Sequence, residues 1–164
     1  MDGQVRLRPP RHELDGRVVG YWRTTNLLVV AIPVVVLLVL GLLIPPARFG
    51  LLLPAVLLAV LGVPAAILVP RWWFRLHRWE VTETAVYHRG GWFAEESRIA
   101  PMSRLQTVDT TRGPLARRYG LATLVVTTAS AKGPVRIEGL DHELAADLAH
   151  RLADVAEATP GDAT

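Results

Sequence analysis

The stretch "PRWWFRLHRWEV", Pro70 to Val81, decides how this chain is read. It sets Trp72, Trp73, Phe74 and Trp79 among Arg71, Arg75, His77 and Arg78. Aromatic rings interleaved with basic side chains suit a single-stranded nucleic-acid surface. They equally suit the place where a chain leaves a bilayer, because amphipathic rings and cations are favoured at headgroup depth. The residues on either side decide between the two. Before the stretch the sequence is continuously apolar, and after it apolar and polar residues alternate.

Upstream, Leu27 to Ile44 reads "LLVVAIPVVVLLVLGLLI" and Phe49 to Val69 reads "FGLLLPAVLLAVLGVPAAILV", with no charge in either. Eighteen residues of helix span about 27 Å, close to the roughly 30 Å hydrocarbon core. Neither run carries a polar stripe at helical spacing, so each helix is apolar all round, as a spanning helix is. The remaining residues are too few to cover two such helices in a soluble core. Pro33, Pro54 and Pro64 lie inside the runs, and spanning helices tolerate proline when neighbours serve the freed carbonyls. Gly41, Gly50 and Gly62 allow close helix approach, although no GxxxG spacing occurs. The connection Pro45 to Arg48, "PPAR", is short enough to force an antiparallel hairpin.

Arg6, Arg8, Arg11, Arg17 and Arg23 precede the first span, and Arg71, Arg75 and Arg78 follow the second, against Arg48 alone in the loop. The positive-inside rule therefore predicts a multi-pass protein of the cell membrane with both termini in the cytoplasm. A cleaved signal peptide does not fit, because the apolar run is too long and a second span follows at once. Arg71, Trp72, Trp73, Phe74, Arg75 and Arg78 are then membrane-interface residues in contact with lipid, and nucleic acid is not an expected partner.

Downstream, "WEV" and "AVYHR" read as the first two strands, joined at Thr82-Glu83-Thr84. Gly90-Gly91 marks a turn, and Trp92 to Ala100 reads as a third strand, broken by Pro101. In Ser103 to Arg112, Leu105 and Thr107 take one face and Gln106 and Val108 the other. Leu121 to Ala129 is rich in Val, Leu and Thr, as a strand should be. "PVRIEG" forms the last strand, with Val135 and Ile137 on one side. Asp141 suits a helix N-cap and Glu143 the first turn. Leu144, Leu148, Leu152 and Val155 form one stripe for packing on a sheet, and Pro160-Gly161 ends the helix. The expected fold is a two-helix transmembrane hairpin followed by a small α+β domain, an antiparallel β-barrel or sandwich capped by a C-terminal helix. The boundaries are 1–24 for a cytoplasmic N-terminal segment, 25–70 for the hairpin, 71–158 for the cytoplasmic domain and 159–164 for a tail.

The order of "WEVTETAVYHRGGWF", "RIAPMSRLQTVDTTRGPLARRYGLATLVVTTA" and "IEGLDHELAADLAHRL" after a hairpin resembles bacterial pleckstrin-homology-like domains carried by small membrane proteins. Gly113-Pro114-Leu115, then Tyr119-Gly120-Leu121, carry the most specific part. The resemblance implies a PH-like fold, no catalysis, and work beside a larger relative with several such domains. It departs from the phosphoinositide-binding pattern, since the loop Thr82-Glu83-Thr84 has no basic residue.

No cysteine is present, which excludes disulfides and thiolate metal sites. His12, His77, His88, His142 and His150 form no metal-ligand spacing, and no nucleophile elbow, P-loop or dinucleotide fingerprint occurs, so no cofactor is expected. Glu95 and Glu96 are adjacent in a strand and point apart. "GPLARRYG" precedes a strand, so it makes no helix-borne phosphate cradle. Arg112, Arg117 and Arg118 are the densest charge in the second half and the candidate contact with anionic lipid or an acidic partner. The function expected is a non-enzymatic, membrane-anchored interaction module that is a subunit or scaffold of a membrane complex. The alternative is an accessory protein that senses anionic lipid or peptide.

Overall fold

The computed structural model describes residues 10–91, 96–129 and 133–158. They form two compact units, one from residues 19–72 and the other from residues before and after that stretch.

The first unit is the hairpin. Helix α1, Arg17–Leu43, runs unbroken through Pro33. A 3-10 turn at Pro45–Ala47 leads into α2, Arg48–Leu76, which runs through Pro54, Pro64 and Pro70. At 27 and 29 residues, they are about 40 Å long or more. The protein buries only 6% and 11% of their most apolar windows, and Leu28, Val29, Ile32, Leu53, Leu61 and Phe49 are among the side chains left bare. Small residues set the approach of the helices. A Cβ on Gly62 would lie 2.9 Å from Val30 Cγ1, and one on Gly41 would lie 2.8 Å from Leu52 Cδ2, whereas Gly50 faces nothing. Ala55 and Ala66, also on α2, are buried. Pro70 lacks the amide that would serve the carbonyl four residues earlier. One residue along, Arg23 Nε donates to the Ile67 carbonyl at 3.1 Å, tying α1 to α2.

The Val30–Gly62 contact has a direct test. With no native thiol in the chain, the pair Val30→Cys and Gly62→Cys brings two Cβ atoms within the roughly 3.5–4.5 Å that a disulfide needs. Oxidation of this double variant in membranes is expected to cross-link it within the chain, read as a mobility shift after proteolysis in the loop. Pairing Val30→Cys with Gly50→Cys is expected to give none.

The second unit is a sandwich of two antiparallel sheets. The first has the order β1-β2-β3-β4 and the second β5-β6-β7. Their ranges are β1 His12–Glu13, β2 Arg78–Val81, β3 Ala85–Gly90, β4 Glu96–Pro101, β5 Leu105–Thr111, β6 Leu121–Thr128 and β7 Val135–Asp141. The sheets do not close into a barrel, so of the two expected forms the sandwich is the one adopted. Val86, Leu121, Leu124, Val126, Ile137, Leu140 and Leu152 build the core.

Several details depart from the sequence-based expectation. The first strand is β1, before the hairpin: His12 pairs with Trp79 and Glu13 with Arg78. The turn Thr82–Thr84 therefore joins the second and third strands. In β5 a register shift between Leu105 and Thr107 breaks the alternation, so the half-buried residues are Leu105 and Val108. Pro114 opens a short helix, α3, Pro114–Arg118, where a simple break was expected, and Gly120 at φ +67° ends the turn. The closing helix α4, His142–Ala158, is capped as expected, with Asp141 Oδ1 accepting from the amides of Glu143 at 2.9 Å and Leu144 at 3.3 Å. Its buried line is Ala145, Leu148 and Leu152, while Leu144 and Val155 are exposed. Trp92 and Phe93, in the expected third strand, and Pro160-Gly161 lie outside the described residues.

The start of α1 belongs to the sandwich. Val18 is fully buried and Leu14 nearly so, and the Asp15 amide donates to the Gly139 carbonyl at 3.1 Å. Arg17 binds both Asp15, from Nε to Oδ1 and from Nη2 to Oδ2 at 2.9 Å each, and Asp141. Arg17 holds the carboxyls of Asp15 and Asp141 below the usual carboxylate range. The unfolded chain therefore binds protons first as pH falls, so this contribution is whole above about pH 4 and fades as the folded carboxyls titrate. Arg17→Gln is expected to lower stability most near neutrality and progressively less as the carboxyls titrate below about pH 4, flattening the acid limb of the stability profile followed by tryptophan fluorescence.

Candidate functional site

The residues expected at the membrane interface sit on two different elements. Arg71, Trp72, Trp73, Phe74 and Arg75 all lie in the last turns of α2, which continues past the apolar run. Arg71, Trp72 and Arg75 are exposed, and Trp73 and Phe74 half-buried. Arg78 is instead the first residue of β2 and pairs with Glu13 at 2.7 Å.

Arg112, Arg117 and Arg118 are not held alike. Arg112 is half-buried, and its Nε donates to the Leu121 carbonyl at 3.1 Å, which pins the loop to the start of β6. Arg117 and Arg118 end α3 and are exposed, so they are the pair with side chains open to a partner.

The structure adds a site that sequence spacing did not show. A cleft of 480 Å³ is lined by His77, His88, Glu96, Arg98, Pro134, Arg136 and Glu138. Cross-strand register builds one wall. His12, Trp79, His88 and Arg98 stand opposite one another in turn across β1 to β4. The same row begins in an apolar stack, with the His12 and Trp79 rings 5.0 Å apart and Trp79 Nε1 donating to the Glu13 carbonyl at 3.0 Å. It ends in charge. Arg98 Nε donates to Glu96 at 2.8 Å and its Nη1 to the Pro134 carbonyl at 3.2 Å, which links β4 to the start of β7. The other wall is the exposed row of β7, where Arg136 and Glu138 alternate with the buried Val135 and Ile137.

His77, between α2 and β2, closes the cleft. Its Nδ1–H donates to the Trp73 carbonyl at 2.8 Å, and its backbone amide donates to the same oxygen at 3.1 Å. This caps the end of α2 and fixes the orientation of the ring. The His77 and His88 rings are 6.0 Å apart, and both crowd Gly90, where a Cβ would lie 2.8 Å from His77 Nε2 and 3.1 Å from His88 Cε1. Burial pushes the His88 imidazole down to about 4, with neighbouring His77 and Arg98 acting in the same direction and Glu96 opposing them. His88 is thus uncharged at neutral pH. The unfolded chain takes up a proton near pH 6.5, so stability is whole above that value and falls between about pH 6.5 and pH 4. The loss across that window is about 3 kcal/mol. His88→Gln is expected to flatten the pH dependence of urea unfolding there.

Sequence reading missed this cluster because its members lie on three strands and a helix end. The one local signal was the alternation of charge with apolar residues in "VRIEG". His142 and His150 remain partly or fully exposed on α4, as expected.

Two long, uncovered apolar helices joined to a two-sheet sandwich with a C-terminal helix define a membrane protein with a PH-like domain. Comparison with known proteins agrees. The chain matches the family described as Bacterial PH domain over residues 24–156, and it belongs to that family. It is 28% identical over 156 residues to the UPF0699 transmembrane protein YdbS of Bacillus subtilis (strain 168), a match that covers 93% of this chain and 97% of the relative. No solved structure matches it significantly.

Proposed function

We propose that this protein is a non-enzymatic, membrane-anchored interaction module, a subunit or scaffold whose PH-like sandwich docks another membrane protein. A larger relative with several PH-like domains is the expected partner. One observation carries the reading: the sandwich is continuous in sequence with both ends of a hairpin that has the length and composition of a membrane anchor. Leu14, Asp15 and Gly16 separate β1 from α1, and His77 alone separates α2 from β2. A module so attached has little linker with which to search, which suits standing assembly in the membrane plane better than recruitment from solution.

The pairing of β1 with β2 supports a topology in which the segments that enter and leave the hairpin share one side of the bilayer. The excess of arginine at those two ends over the Pro45–Arg48 connection supports the cytoplasmic side. Exposed Arg117 and Arg118 favour a second reading, contact with anionic headgroups.

Extraction of the full-length protein from its native membrane in polymer nanodiscs, followed by mass spectrometry of what co-purifies, tests both. A stoichiometric membrane protein is expected. Enriched anionic lipid with no protein would replace the first reading by the second. Neither would overturn both.

A further inference from the structure

We propose that Arg23, in the seam between α1 and α2, binds the phosphate of a single phospholipid held at the headgroup end of the hairpin. The site is separate from Arg117 and Arg118 and does not depend on the docking of a partner.

One side chain sets the demand. Arg23 lies one helical turn before the uncharged run that begins at Leu27, so in a membrane it stands at headgroup depth. It is two turns before Val30, the residue that meets Gly62 of α2, and so belongs to the same seam. Its Nε donates to the Ile67 carbonyl at 3.1 Å, which holds the guanidinium against α2. Its Nη2 is buried and has no hydrogen-bond partner among the described residues. Solvent does not reach that atom to complete its bonding, and a charged donor left in this state is costly.

The hairpin itself supplies no countercharge. Residues 19–72 contain Arg23, Arg48 and Arg71 and no aspartate or glutamate. No described carboxylate forms an ion pair with Arg23. The missing partner is therefore an anion from outside the chain. A guanidinium presents parallel N–H groups that fit two oxygens of one phosphate, and at this depth of a bilayer the phosphate on offer is that of a phospholipid. Seating it costs the protein little. Arg23 as a whole is only half-buried, and Nη2 has no bond to give up when the guanidinium turns toward a ligand. Asn26, one turn deeper, is half-buried, and its amide has no hydrogen bond with a described residue, so it adds a second donor for the headgroup. The bare apolar surface of both helices beyond it accepts the acyl chains.

The test uses the full-length protein, purified in detergent, titrated with lipid and followed by native mass spectrometry. With phosphatidylglycerol, one lipid per chain is expected to bind ahead of any further adducts. Arg23→Gln is expected to weaken that first adduct about tenfold or more, as the loss of a hydrogen bond to a charged group does. Arg48→Gln removes the same charge from the connection at the other end of the hairpin and is expected to leave the adduct unchanged. A galactolipid with the same acyl chains but no phosphate is expected to give no such adduct with the unaltered protein, a comparison that stands even where Arg23→Gln fails to fold. Equal binding of phosphatidylcholine assigns the site to the phosphodiester, and binding of phosphatidylglycerol alone assigns it to a net negative headgroup; either supports the proposal. An undiminished adduct in Arg23→Gln, an equal loss in Arg48→Gln or equal binding of the galactolipid overturns it, as does the absence of any discrete lipid adduct.

Discussion

Gly139→Ala is expected to destabilise the sandwich by about 3–4 kcal/mol, a large fraction of the roughly 5–15 kcal/mol that holds a small domain. Two independent effects act at this position. Gly139 occupies the bulge of β7, where Glu138 and Gly139 stand between the pairs Leu124–Ile137 and Ala122–Leu140, and its φ is +76°. A side chain in that left-handed conformation costs about 1–2 kcal/mol. The new Cβ would also lie 2.3 Å from Val18 Cγ2, and Val18 is fully buried at the start of α1. Overpacking of this kind adds about 1–3 kcal/mol. A double-mutant cycle measures the packing part. Val18→Ala removes the methyls but leaves its own Cβ 2.9 Å from the new one, so Gly139→Ala should cost less in that background without falling to the conformational part alone. Urea unfolding read through Trp79 fluorescence measures each corner. Equal costs of Gly139→Ala in both backgrounds would show that Val18 and Gly139 do not touch.

The second large effect concerns the residues before the hairpin. A fragment of residues 73–158 alone is expected to be unfolded or aggregated. It loses the β1 pairing, the Trp79 Nε1 bond to the Glu13 carbonyl, the Arg78–Glu13 ion pair and the buried Leu14 and Val18. Burial of the two aliphatic side chains alone is worth roughly 1.5–3 kcal/mol each. The loss also bares the edge of β2, a template for pairing between molecules. Joining residues 10–18 to residue 73 through a flexible Gly/Ser linker should restore a monomer with a cooperative unfolding transition. A fragment of residues 73–158 that is monomeric and cooperative without the added segment would show that β1 is dispensable.

How much of this was legible in the sequence depends on how far each signal reaches. The hairpin was plain, because two uncharged runs of that length have few alternatives. Strands β3, β6 and β7 were plain from residue type and alternation. Strand β1 was not, since two residues carry no period and the pairing of Glu13 with Arg78 crosses the whole hairpin. The start of α1 was hidden for a related reason: "RVVGYWRTTN" has neither the continuous apolarity of a span nor a clear cap. In α4 the period was right and the phase was off. Leu144 and Val155 are 41% and 37% exposed, and the contact line runs through Ala145 instead, which is small enough to let the helix lie close on the sheet. The aromatic and basic residues at the end of α2 stood out by composition. The cleft escaped because His77, His88, Arg98 and Arg136 become neighbours only through register and the meeting of two sheets.

The pairing of β1 with β2 also sets an order of events during synthesis. Glu13 leaves the ribosome long before Arg78, and everything between them is the apolar hairpin. The newly made N-terminal segment must wait, unpaired, while both helices enter the bilayer. Closing the sheet then requires the two ends of the hairpin to return to the same compartment. A molecule whose second helix fails to insert would hold β1 and β2 on opposite sides of the membrane, where no amount of waiting completes the fold. Such a molecule keeps a bare β2 edge and an uncovered core. Completion of the four-stranded sheet is thereby conditional on the two ends of the hairpin meeting in one compartment.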